Sequence, residues 1–278
     1  MTSDRVGWVT DEELVAVRGE DARAWLNGQI TNDLKPLAVG RPVYGLVLSA
    51  KGRILADLLA IEHAEEGLLV AVPRGSWPAL KAHLEHYIIM EDVELVPRPD
   101  LALITVQGGE VAPGSLPHAR LEAGFDEVVP AGEAVARLQA LGVRTIDAPE
   151  RERRRLRLGR PRFPVDFGEH TYPQEAGLEK GAVSFQKGCY LGQEVVCMLE
   201  SRGQISRRLV RLTGPAGLAA GAELRGADDQ AVGTITSAVD DEGRSLALGI
   251  VKRAHAAAGT ALRSEAGAVE VLGPSVLG

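Results

Sequence analysis

The sequence lacks the features that would place a protein outside the cell or in a membrane. Only two of its 278 residues are cysteines, which is too few for a disulfide-stapled scaffold. No stretch approaches the roughly 20 apolar residues that span a bilayer, and the first residues lack the apolar core of a secretion signal. We therefore expect a cytoplasmic protein with no membrane partner.

Basic residues are also outnumbered by acidic ones. The chain carries 31 Lys and Arg against 38 Asp and Glu, which gives a net charge of −7, so general attraction to nucleic acid is not expected. Hydrophobic residues make up 45% of the chain, as in an ordinary globular protein. The length suffices for two or three packed units around a substantial core.

Common cofactor and catalytic motifs are missing as well. The sequence has no Gly-x-Gly-x-x-Gly after a strand, no Gly-x-x-x-x-Gly-Lys-Ser/Thr and no Gly-x-Ser-x-Gly. His83 and His86 share a predicted helix without a third ligand nearby. Two cysteines are fewer than a cysteine-ligated iron–sulfur cluster needs. We expect no resident metal site.

Short strands and amphipathic helices alternate through the first half of the chain. Strands are predicted at 14–17, 43–48, 54–61, 68–72, 93–96 and 101–106, and helices at 22–27, 76–90 and 132–141. This alternation favours α+β layers over a doubly wound sheet. It predicts an α+β region over residues 1–204 with two lobes, the second at roughly 52–130.

The last part of the chain has a different pattern. Strands are predicted at 208–212, 231–237, 245–251 and 269–272, and Gly- and Asp-rich turns separate them. This spacing is typical of a compact all-β module. We predict a small C-terminal β-barrel over residues 205–278.

The strongest chemical signal is Lys-Gly-Cys-Tyr-Leu-Gly-Gln-Glu at residues 187–194. Gly188 and Gly192 permit positive φ, so the segment can turn sharply around Cys189. The cation of Lys187, and a helix beginning just after this turn, would lower the pKa of the thiol. The residues alone leave a second interpretation equally open, in which Cys189 is a small buried apolar residue.

This segment resembles the signature of the YgfZ family, a branch of the folate-binding superfamily that includes glycine-cleavage T-protein. Further matching blocks cover nearly the whole chain and lie at 26–34, 49–57, 155–161, 172–175, 184–186 and 232–237. One departure follows the motif, where Val195-Val196-Cys197-Met198 stands in place of a continuation that usually reaches an arginine. We interpret Cys197 as a core residue.

The resemblance implies a three-domain ring around a cavity that binds tetrahydrofolate, and a role in iron–sulfur cluster assembly or repair. Any cluster would be transient, or shared with assembly or client proteins. It makes Cys189 and Lys187 the candidate reactive pair. The candidate folate-binding residues are Asp33, Asp57, Arg155, Glu175, Tyr190, Gln193 and Glu194.

Each candidate carboxylate has an alternative interpretation as a solvated turn residue or a helix cap, and Arg155 has an alternative of its own. Asp33 follows Thr-Asn, and for this residue the solvated turn carboxylate is the favoured interpretation. Arg155 holds the family's arginine position among seven arginines between 151 and 162, which would suit an anionic folate tail. The alternative is a solvated face that is balanced by Glu150, Glu152 and Asp166.

A folate-dependent aminomethyltransferase or demethylase is the rival function. The resemblance implies that T-protein uses an aspartate pair where this chain has Ala56 and Asp57, so one member of the pair is missing. A third possibility is that the fold serves only as an interaction scaffold.

Overall fold

The computed structural model describes residues 5–108, 116–117, 124–203 and 205–275. The strands are β1 (Val6–Val9), β2 (Glu12–Arg18), β3 (Val43–Leu48), β4 (Ile54–His63), β5 (Gly67–Pro73), β6 (Glu94–Pro97), β7 (Leu101–Gln107), β8 (Leu116–Pro117), β9 (Gly124–Pro130), β10 (Arg144–Thr145), β11 (Arg207–Pro215), β12 (Glu223–Arg225), β13 (Ala231–Asp241), β14 (Arg244–Lys252), β15 (Ala261–Ser264) and β16 (Gly267–Pro274). The helices are α1 (Ala22–Gln29), α2 (Trp77–Glu85), α3 (Ala134–Ala140), α4 (Ala148–Leu158), α5 (Pro173–Ala176), α6 (Glu179–Ala182) and α7 (Gln193–Arg202).

The first sheet has the antiparallel order β3-β4-β5-β2-β6. Every residue of β3 is buried because the sheet is covered on both faces. Helices α1 and α2 cover one face through Trp25, Leu26 and Leu84. The other face packs against the middle of the molecule, where Tyr190 and Val196 join its core.

The second sheet has the order β10-β1-β7-β9-β8, and α3 packs on it through Ala134 and Leu138. The second lobe predicted over residues 52–130 does not coincide with this sheet. Strands β4 and β5 belong to the first sheet, whereas β7 and β9 belong to the second. The chain enters the second sheet with β1, before it builds the first, and sequence spacing does not reveal that crossing.

The third unit is a closed barrel with the strand order β11-β14-β13-β12-β15-β16. Its interior is filled by alternating apolar residues, among them Val210, Leu212, Ile235 and Val271. The predicted α+β fold with a C-terminal barrel is confirmed. The sequence pattern missed β12 and β15, because strands of three and four residues are too short to show an alternation.

Helix α2 ends earlier than its apolar pattern predicts. It stops at Glu85, and the amides of Tyr87 and Ile88 then bond to carbonyls three residues back, at 3.0 and 3.1 Å. The Tyr87 carbonyl accepts a hydrogen bond from the indole of Trp25 at 2.9 Å. A tertiary contact thus occupies a carbonyl in the stretch predicted to be helical. No helix in the described part of the chain is long and apolar enough to cross a membrane.

Glu175, at 2% exposure, ties the first sheet to the barrel. Its carboxylate accepts hydrogen bonds from Arg53, just before β4, and from Arg207, the first residue of β11, each at 3.3 Å. The amide of Tyr172 donates to it at 3.1 Å, and the Arg53 guanidinium stacks 3.5 Å from the Tyr172 ring. Glu175 was predicted to bind folate, but these donors already engage its carboxylate in a joint between units.

Replacing Glu175 with Gln should lower the free energy of unfolding by about 2 kcal/mol, because two guanidinium groups lose a buried carboxylate. Urea unfolding of the full chain measures the change. Glu242→Gln is the matched control, since that carboxylate also pairs with an arginine but is 86% exposed and should give no measurable change. Equal effects of the two substitutions would show that Glu175 does not stabilise the contact between the first sheet and the barrel.

Candidate functional site

Cys189 is exposed on a segment that we call the cysteine loop, residues 184–191. Backbone hydrogen bonds fix both ends of the loop against the C-terminal end of α1. The Ser184 amide donates to the Thr31 carbonyl at 3.0 Å, and the Leu191 amide donates to the Gly28 carbonyl at 3.4 Å. The loop therefore presents its thiol to solvent from a defined place on the surface.

Lys187 fixes the middle of the cysteine loop. Its ammonium donates to the carbonyls of Ile30 and Asn32, each at 2.8 Å, and to that of Asn27. Carbonyls at the end of a helix lack backbone partners and attract cations. Burial lowers the pKa of Lys187 to about 8, and the Asp33 carboxylate opposes that shift, so at pH 7 the side chain is mostly protonated.

This placement corrects the role predicted for Lys187. The sequence suggested an ammonium beside the Cys189 thiol, but the structure aims it at three carbonyls of α1 and the following turn. The side chain is only 7% exposed. Lys187 positions the loop that carries Cys189, because its ammonium binds the loop to the carbonyls at the end of α1.

At Gly192 the backbones of two segments approach each other closely. This glycine has a φ of 81°, and a Cβ there would lie 2.6 Å from the Ser49 carbonyl oxygen. The β3–β4 turn therefore packs directly against the start of α7. Gly188 was predicted to need the same freedom, but it has no positive φ, and a Cβ there would contact nothing within 4 Å.

Tyr190 anchors the cysteine loop to the core. Its ring is 7% exposed and packs with Val196 among the buried residues behind the first sheet. Burial, with a smaller contribution from the nearby Cys197, raises the pKa of the Tyr190 phenol. Cys197, which we expected in the core, is only half-buried.

The next two candidates lie at the start of α7. The amide of Gln193 donates to the Gly188 carbonyl at 3.4 Å, so this side chain braces the loop from the helix. Glu194 lies in the first turn of the helix and is exposed. It stays a candidate for contact with a ligand.

A pocket of about 260 Å³ opens beside the cysteine loop, and we call it the Tyr44 pocket. It is lined by Asn32, Asp33, Pro36, Arg41, Pro42, Val43, Tyr44 and Gly181. The side-chain amide of Asn32 donates to the carbonyls of Tyr44 and Gly181 at 2.9 and 3.2 Å, and the main-chain carbonyl of Asn32 accepts a hydrogen bond from Lys187. Loop and pocket thus share the same short segment of chain, although Cys189 is not among the lining residues.

Asp57 lies behind this pocket. It is 5% exposed, and its carboxylate accepts a hydrogen bond from the Tyr44 hydroxyl at 2.8 Å. Leu46 pairs with Asp57 in the β3–β4 ladder, which puts Tyr44 and Asp57 on one face as diagonal neighbours. The register of a predicted hairpin carries the signal for this contact, although Tyr44 was not among the candidate residues.

Arg155 lies in an internal ion network instead of an open site. It pairs with Glu152 and Asp166 at 2.6 Å each and donates to the Ser237 hydroxyl at 2.8 Å. This joins α4 to β13 of the barrel. Its side chain is 11% exposed, so a folate tail would have to displace these partners to reach it.

Three further arginines of α4 also form ion pairs. Arg151 bonds Asp11, Arg154 bonds Glu150, and Arg157 bonds Asp241. Carboxylates of α4 itself and of other segments neutralise these arginines. Within the described ranges, no group of three His, Cys, Asp or Glu side chains could bind a metal ion.

Comparison with known proteins identifies the family. Residues 9–112 match the GCVT N-terminal domain. The chain is 30% identical over 264 residues to the human protein "Iron-sulfur cluster assembly factor IBA57, mitochondrial", which covers 84% of this chain and 74% of the relative. The chain belongs to the GCVT-domain family that includes IBA57 and YgfZ. The predicted resemblance is confirmed.

Other members of the GCVT-domain family show how far the likeness extends. The tRNA-modifying protein YgfZ of Yersinia pseudotuberculosis is 27% identical over 259 residues, which cover 82% of this chain and 78% of the relative. An aminomethyltransferase of Bordetella avium is 30% identical over 201 residues, 58% of this chain and 54% of the relative.

A solved structure shares the fold. The glycine cleavage system aminomethyltransferase T of Bartonella henselae superposes with a TM-score of 0.83 at 21% identity, covering 98% of this chain and 88% of the other. At this identity the likeness establishes the three-unit architecture and nothing about the reaction.

Replacing Lys187 with Met should destabilise the fold by about 2–4 kcal/mol, because the helix-end carbonyls lose charge-assisted donors. It should also speed alkylation of Cys189 by loosening the loop. Urea unfolding and the rate of reaction with a thiol reagent measure the two effects. Lys180→Met, at an exposed position of α6, is the control, and unchanged values in Lys187→Met would contradict the positioning role.

The two glycines of the motif should respond differently to alanine. Gly192→Ala should cost at least about 2 kcal/mol, since it combines a strained φ with a backbone clash. Gly188→Ala should stay within about 0.5 kcal/mol of the parent. Thermal and urea unfolding of both variants test this, and the expectation fails if Gly188→Ala is the more damaging change.

Proposed function

We propose that the chain is a tetrahydrofolate-binding accessory protein for iron–sulfur cluster assembly or repair, with Cys189 as the group that handles the cluster. The observation that carries this proposal is an exposed thiol on a loop fixed to α1 by Lys187, next to a polar pocket. The printed name of the human relative, an iron–sulfur cluster assembly factor, supports it.

The Tyr44 pocket suits one end of a folate. A pterin ring presents an amino group and an adjacent N–H, and a carboxylate accepts such paired donors well. Asp33 lines the pocket, and Asp57 lies buried behind Tyr44. Glu175 has its donors already, so it serves the joint between units. Bound tetrahydrofolate would supply a carrier for one-carbon units.

The cluster is cargo in this proposal. One thiolate does not satisfy the ligand set of an iron–sulfur cluster, so Cys189 would share the cluster with a client protein, an assembly protein or a second copy of the chain. Exposure of the thiol is what such sharing requires, because the partner's ligands must reach the same iron atoms. Lys187 and Gly192 serve this chemistry by fixing where the sulfur lies.

The test compares the two cysteines. Cells that contain only Cys189→Ser should lose most of the activity of their iron–sulfur enzymes, whereas Cys197→Ser cells should retain it. Both variants should unfold at the same urea concentration as the parent, since neither thiol is deeply buried. Normal cluster-enzyme activity with Cys189→Ser would reject the proposed role of this thiol.

Folate-dependent transfer of a one-carbon unit is the second candidate, and the contact between Asp57 and Tyr44 favours it, because a buried carboxylate beside the pocket could act on a bound one-carbon group. The replacement of the other aspartate by Ala56 weighs against it. Incubation with tetrahydrofolate and an amine donor separates the two functions. Turnover that survives Cys189→Ser and is lost in Asp57→Asn would establish the transferase.

A further inference from the structure

Arg41 differs from the paired arginines of α4. It lies just before β3, in a turn closed by two backbone hydrogen bonds with Ala38, of 2.8 and 3.3 Å. Its side chain is exposed and lines the Tyr44 pocket. Among the described residues, no carboxylate or carbonyl accepts a hydrogen bond from its guanidinium.

An arginine in this position is available to a ligand. Arg151, Arg154, Arg155 and Arg157 each bind acidic side chains of this chain, so an incoming anion would have to displace those partners. Arg41 has none to displace, and its turn is fixed by its backbone. A guanidinium presents a fork of donors that matches a carboxylate in two parallel hydrogen bonds.

The Tyr44 pocket also carries two groups of opposite charge, which would orient a ligand. Asp33 and Arg41 both line the pocket, and no ion pair joins them. Asp33 Oδ1 already accepts a hydrogen bond from the Lys35 amide at 3.0 Å, so Oδ2 is the oxygen that would accept a donor of the ligand. A ligand that has donors at one end and carboxylates at the other would then contact both Asp33 and Arg41. The volume of about 260 Å³ falls below the roughly 300–1,000 Å³ typical of sites for larger ligands. The pocket would therefore enclose one end of such a ligand and leave the other at the rim.

We infer that Arg41 binds the glutamate tail of the folate, while the ring occupies the pocket on the side of Tyr44 and Asp33. This inference rests on the proposed function, because it assumes that a folate is the ligand. Recognition of the tail then lies not with Arg155, as the family resemblance implied, but with an arginine outside the motif blocks. Arg41 becomes a specificity-determining residue for anionic folates.

The experiment measures binding of two ligands by calorimetry under anaerobic conditions. The ligands are tetrahydrofolate and tetrahydropteroate, which lacks the glutamate. Arg41→Ala should lower the affinity for tetrahydrofolate about tenfold, as expected for the loss of one charge-assisted pair at a partly solvated site. The same variant should bind tetrahydropteroate like the parent, since the ring contacts are untouched.

Two control variants sharpen this comparison. Arg74→Ala removes an exposed arginine outside the Tyr44 pocket and should bind both ligands as the parent does. Arg155→Ala should lower the stability of the fold, because it breaks the ion network of α4, and should leave the preference for the glutamate unchanged. Arg41→Lys keeps the charge without the fork and should recover part of the lost affinity.

The outcomes separate the inference from the function on which it rests. Loss of tetrahydrofolate affinity alone supports the role of Arg41. An equal loss of affinity for both ligands, or no loss for either, overturns that role, while folate binding itself stands. Failure of the parent to bind either ligand overturns the proposed function together with the inference.

Discussion

The ammonium of Lys187 is the contact on which the arrangement of the site depends. It joins the cysteine loop to the end of α1 through Asn27, Ile30 and Asn32. The same segment of chain continues into the Tyr44 pocket, because the side chain of Asn32 binds the Tyr44 carbonyl. One buried cation therefore sets the place of an exposed thiol relative to a pocket. A shorter or uncharged side chain could not reach and satisfy these carbonyls.

Several residues that looked suited to ligand binding are instead the joints of the molecule. Glu175 connects the first sheet to the barrel through two arginines, and Arg155 connects α4 to the barrel through Asp166 and Ser237. Buried charged groups must be paired, and in a three-unit molecule the seams are where pairs from distant segments meet. The same charge that would attract a ligand is neutralised there by the chain itself.

Much of the fold could be predicted from local patterns. The strands β3, β4 and β5 and the barrel strands β11, β13 and β14 follow from their alternation and turns. The division of strands between the two sheets could not, because β1 pairs with β7, far along the chain. Just beyond the early end of α2, the Tyr87 carbonyl bonds a distant partner, the indole of Trp25. Predictions failed where a tertiary contact replaced a local one.

The sequence by itself determined the family, the α+β layers, the barrel and the importance of the segment around Cys189, because these depend on local pattern and on an ordered motif. Only the tertiary structure decided what its charged residues do. It turned Lys187 toward a helix end and closed Arg155 and Glu175 into ion networks, while Arg41 was left open at the pocket. The reason is physical, since the effect of a charge depends on which opposite charges and carbonyls the fold brings within hydrogen-bonding distance.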